Sequence, residues 1–141
     1  MTIRHPRRLP LLALGMVALL TGLWAGLARL GWDVPVPRQE FSALHGPLMV
    51  SGFLGTLISL ERAVALGQLW AYAAPLLTGL GAVGLILGIP LPVAQVLILA
   101  GSVGLVAIFA AIIRRHPALY TFAMGGGAAI WVIGNVLWCV G

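Results

Sequence analysis

The chain has 141 residues, of which 61% are hydrophobic and only 8% charged, with a mean hydropathy of +1.09. A soluble domain carries about 25% charged residues, so so few charges cannot clothe a folded surface and lipid is the expected solvent. The net charge of +5 does not point to nucleic acid: no basic run is interleaved with aromatics, and the basic residues, all arginine, follow another rule given below.

Residues 1–8 carry Arg4, His5, Arg7 and Arg8, and an apolar run over about 9–30 follows, interrupted only by Arg29. Gly26-Leu27-Ala28 has the small-x-small form of a signal cleavage site. The apolar stretch, however, is longer than the 7–15 residues of a signal core, so a retained transmembrane helix is expected. Ala18, Gly22 and Gly26 recur every four residues and give this helix a face on which another can pack closely. Pro35 and Pro37 hold the polar connection 31–42 extended.

The second span, about 43–66, opens at His45-Gly46-Pro47 and closes at Glu61-Arg62. At about 1.5 Å per residue, His45 and Glu61 lie roughly 24 Å apart, most of a bilayer core of about 30 Å. A third span, about 71–89, holds Gly84 and Gly88 at GxxxG spacing, read as helix packing. After Pro90-Leu91-Pro92 comes a fourth span, about 93–113, ending at Arg114-Arg115-His116-Pro117. The fifth, about 118–140, contains Gly125-Gly126-Gly127, Asn135 and the single cysteine, Cys139. A lone cysteine makes neither an intramolecular disulfide nor a cysteine metal cluster and reads as a packing residue.

Arginine placement orients the spans. With the N-terminus inside, Arg4, Arg7, Arg8, Arg62, Arg114 and Arg115 fall inside, and Arg29 and Arg38 outside. Trp32, Phe41 and Trp138 then anchor the outer interface, and Trp70, Tyr72 and Tyr120 the inner one. The fold expected is an all-α integral membrane protein: one transmembrane domain over 1–141, a bundle of five transmembrane helices, N-terminus inside and C-terminus outside, in a bacterial inner membrane.

His45, Met49, Gly52 and Thr56 share one face of the second helix. An imidazole above the notch left by Gly52 is a candidate seat for haem or a metal, because neutral histidine is a common metal ligand. Met49 cannot oppose His45 across an iron, since both come from one face of one helix. The alternative is that His-Gly-Pro marks an interfacial helix start, with proline preset for the first turn. Asn135 falls at the depth of His45 and is a candidate neighbour. His5 and His116 lie at the other end, beside arginines, and read as solvated. Glu61 is expected to meet Arg114 or Arg115 as a structural ion pair, because adjacent residues such as Glu61 and Arg62 do not face each other on a helix. Ser51, Gly55 and Ser59 form a second small-residue stripe for packing. Gly125, Gly126 and Gly127 mark either close packing or a broken helix of the kind that builds transporter sites.

The string His45-Gly46-Pro47-Leu48-Met49 resembles the His-Gly-x-x-Met pattern near the outer end of the second helix in haem–copper oxidases and their NnrS-like relatives. The longer string through Glu61-Arg62-Ala63 is similar to bacterial membrane proteins that continue with further helices. The resemblance implies haem b ligation by His45. It does not extend to copper, because the oxidase pattern needs several more membrane histidines at that depth. Three readings therefore stand. The first is a haem- or metal-associated module for electron transfer or small-gas chemistry, with His45 as axial ligand and Met49, Gly52, Thr56 and Asn135 about it. The second is one repeat of a transporter, and the third a ligand-free scaffold. A lipid bilayer, and a homo-oligomer or a missing second half, are the expected partners.

Overall fold

A computed structural model describes residues 8–141. Arg4, His5 and Arg7, placed inside by the arginine rule, lie outside the described residues. Among the described residues, five helices are long and apolar enough to cross a membrane: α1 (Arg8–Arg29), α2 (Gln39–Leu66), α3 (Leu69–Leu87), α4 (Leu91–Arg115) and α5 (Leu119–Val140). Large apolar side chains stay exposed along all of them, among them Leu20, Leu54, Leu80, Val103 and Ile130, as expected of a bundle whose surroundings are themselves apolar.

The helix ends follow from local chemistry. α2 begins as a 3₁₀ turn at Gln39–Leu44, so it starts earlier than the apolar run does. α3 stops at Gly88, whose φ of 78° is left-handed. Ile89 N–H donates to Gly84 O at 3.0 Å and Gly88 N–H to Leu85 O at 3.3 Å, the paired bonds of a Schellman stop. The Gly84-x-x-x-Gly88 spacing is thus a helix terminator, not the interhelical packing motif its sequence suggests: Gly84 makes room for the chain's own Ile89. Arg38, from the connection after α1, donates to Leu85 O and places its charge on the carbonyl end of α3, where a cation is stabilising. Gly88→Ala is expected to cost about 1–2 kcal/mol, the penalty of a left-handed L-residue. The new methyl would also sit 2.5 Å from Arg38 Nη1. Chemical or thermal unfolding in detergent measures it.

α2 departs from an ordinary helix in its middle. Leu48–Gly55 winds as a π-helix before the α-helix resumes over Thr56–Leu66. Pro47 has no N–H to offer the ladder, and Gly52 and Gly55 lack the Cβ atoms that would resist a wider turn. Such segments recur at functional sites.

α3 is central and α5 peripheral: half of the apolar window of α3 is buried, against 11% for α5. Small residues on several faces of α3 explain its position. Leu14 of α1 lies on Gly79, Ile98 of α4 lies on Gly81, and Thr78 in turn occupies the space at Gly101 of α4. α1 covers α2 and α3, while α5 packs mainly on α4. The break considered at Gly125–Gly127 is not there: α5 is one continuous α-helix. Gly125 rests against Ile113 and Phe109, and a Cβ at Gly126 or Gly127 would meet nothing within 4 Å.

Candidate functional site at the α1–α2 seam

The small-residue face of α1 and the His45 face of α2 are complementary and lie against each other. A Cβ on Gly22 would fall 2.9 Å from Met49 Sδ, and one on Gly26 would fall 2.8 Å from His45 Nδ1. A Cβ on Gly52 would be 2.9 Å from both Ala18 Cβ and Ala82 Cβ. Thr56 turns its hydroxyl to Thr78 Oγ1 on α3 at 3.1 Å. The notch expected to seat a planar cofactor is therefore filled by α1 and α3. Met49, Gly52 and Thr56 serve helix packing in this arrangement, and a macrocycle could enter between them only by displacing α1.

His45 itself is held differently. Its Nδ1 lies 2.8 Å from Gly22 O. A carbonyl can only accept, so Nδ1 carries a proton, and in the neutral ring the lone pair is on Nε2. Metal-binding histidines are commonly oriented in this way, by an acceptor on the other ring nitrogen. Because Gly26 has no side chain, the Nδ1–Cε1 edge of the ring sits directly on the α1 backbone. The half-buried imidazole lines a groove of about 470 Å³ with Leu23, Gly26, Leu27, Leu30 and Arg29. The groove is apolar along α1 and carries one guanidinium at its rim. Sequence reasoning used Arg29 only to orient the chain. Its place seven residues after Gly22 and three after Gly26 puts it on the same helix face, a signal that was available.

Beside this seam, Trp24 Nε1 donates to Pro35 O at 2.9 Å, and its ring meets Phe41 edge-on with centroids 4.7 Å apart. The extended connection is thereby strapped over the His45 end of the bundle.

Asn135 is not a neighbour of His45 in the hydrogen-bond network. Ser51 Oγ donates to Asn135 Oδ1 at 3.3 Å, and Trp131 Nε1 donates to Ser51 Oγ at 3.3 Å. The Trp131 ring lies over Gly55, where a Cβ would be 2.5 Å from Cζ2. The Ser51–Gly55 stripe thus receives α5, while Ser59 is buried with no partner for its hydroxyl among the described residues. Gln95 adds a second polar tie, from Nε2 to Trp138 O at 2.8 Å.

The ion pair expected between Glu61 and Arg114 or Arg115 does not form. Glu61 pairs with Arg62 on its own helix; exposed side chains are long enough to bend toward each other even from adjacent positions. Arg115 instead donates to Leu66 O at 3.3 Å, closing the carbonyl end of α2, and Arg114 is exposed. Among the described residues, no group of three or more His, Cys, Asp or Glu side chains is placed to hold a metal ion.

A family model described as Domain of unknown function (DUF8744) matches residues 8–141. No curated protein and no solved structure matches the chain.

Proposed function

For this chain, which belongs to the DUF8744 family, we propose a haem-associated membrane module in which His45, in the groove along α1, would hold the group. The observation that carries the reading is the 2.8 Å contact between His45 Nδ1 and Gly22 O, which leaves Nε2 as the ligating atom. Two further features support it. A lone histidine suits a metal whose equatorial donors come from a porphyrin, as in haem. The groove is also amphipathic in the right sense: leucines for the macrocycle and Arg29 for its carboxylates. What such a haem supplies is one-electron or small-gas chemistry. The protein's part is to orient the imidazole, shield it with α1, and fix the side of the membrane on which the iron lies.

By the arginine rule the N-terminus is inside, the C-terminus outside and His45 near the outer face. With only His45 from each chain to hold it, the group would leave a place for a small molecule, or for a second copy in a homo-oligomer. The transporter reading has no comparable support, since α5 passes through its glycines unbroken.

Protein purified after expression with haem supplied is expected to show a Soret band that His45→Ala abolishes and Met49→Ala leaves in place. A colourless preparation, or a band indifferent to His45→Ala, overturns the proposal.

A further inference from the structure

A second concavity lies away from His45, between the π segment of α2, α4 and α5. It has a volume of about 500 Å³, and its walls are Val50, Leu54 and Ile58 on one side and Leu105 and Phe109 on the other, under the ring of Trp131. Glu61 and Arg62 stand at its other end. The size is that of a small-molecule site, and the gradient runs from wholly apolar to charged.

The shape selects the occupant. Trp131 lies on Gly55 and is held by Ser51, and the lining runs along α2 from Val50 to Arg62. That stretch spans about 18 Å of helix, close to the roughly 15 Å that is half of a bilayer core. A spanning helix of a second copy, crossing about 30 Å of bilayer core, outruns a cleft of this length. An acyl chain entering from one leaflet fits it. The charges select the headgroup. Arg62 is at the mouth, and Arg115 of α4 reaches Leu66 one helical turn further along α2. Arg114 is beside it, and Glu61 is the acidic residue at this end. The balance is positive. Glu61 is exposed, so its exposed pair with Arg62 is weak and easily exchanged for another anion.

We infer that this cleft binds one anionic phospholipid, its acyl chain under Trp131 and its phosphate on Arg62 and Arg115. The site is independent of the haem reading.

Native mass spectrometry of the full chain, released from micelles doped with phosphatidylglycerol or with phosphatidylcholine of the same acyl chains, tests it. The wild type is expected to retain one phosphatidylglycerol in preference to phosphatidylcholine. Gly127→Leu grows a side chain from a lining position where a Cβ meets nothing, so it fills the cleft without disturbing the fold and is expected to remove the retained lipid. Gly126→Leu makes the same change at a position that does not line the cleft and is expected to keep it. Arg62→Gln is expected to lower the preference for the anionic lipid about fivefold, the factor for one basic residue near an anionic headgroup. Equal retention of the two lipids, or equal retention by the Gly127 and Gly126 variants, overturns the proposal. So does a dimer of lipid-free chains that Gly127→Leu dissociates, which would make a second copy the occupant.

Discussion

A Gly52→Leu protein is expected to lose the native bundle. Gly52 sits in the π segment where three helices converge, and the first carbon added there falls 2.9 Å from Ala18 Cβ on α1 and 2.9 Å from Ala82 Cβ on α3. Neither obstacle is a flexible side chain. Both are Cβ atoms fixed to helical backbone, so α1 or α3 must move as a rigid body. Overpacking a core costs about 1–3 kcal/mol where side chains can adjust, and here the upper end of that range is the floor. The readout is thermal unfolding and monodispersity in detergent. Gly46→Leu is the matched control, because a Cβ at Gly46 meets nothing within 4 Å. Equal melting of the two variants would mean that α1 and α3 do not meet on α2 at this point.

Gly26→Ala is expected to weaken haem binding about 10- to 100-fold while His45 remains present, the usual cost of disturbing the group that orients a ligand. The new methyl would lie 2.8 Å from His45 Nδ1 and 2.9 Å from Cε1. The ring must swing off α1, and its bond to Gly22 O is lost with the swing. Haem titration followed by absorbance gives the affinity, and unfolding in detergent checks that the bundle persists. An unchanged affinity would show that Nε2 does not owe its aim to this contact. The difference from His45→Ala is informative: one change removes the ligand, the other only its support.

The spans were legible because hydropathy integrates over many residues. Their ends shifted by a few positions where local chemistry intervened, as with the 3₁₀ entry of α2 and the Schellman stop of α3. The small-residue face of α1 was also legible, and so was the face carrying His45. That the two meet was not, because a helical wheel gives direction without naming the neighbour. The same limit misplaced Asn135. Its depth matched that of His45, but its bearing leads to Ser51. Gly84 and Gly88 show a different ambiguity, since one spacing serves a helix crossing or a helix stop. At Gly125–Gly127 the competing principle is the cost of unpaired backbone groups in an apolar medium, which keeps a glycine-rich helix wound. Gly52 and Gly55 permit the π-helix of Leu48–Gly55 but do not mark it, since the glycines of α5 sit in an ordinary α-helix.

The one-sided attachment of α5 bears on how the molecule assembles. α5 leans on α4 and reaches α2 through Ser51, Trp131 and Asn135, whereas α1 through α4 interlock through backbone-close glycine contacts. Four segments can therefore associate into a stable nucleus while the last is still sampling positions beside it. The final event in maturation is then expected to be the zipping of α5 onto the π segment, with the indole as its latch.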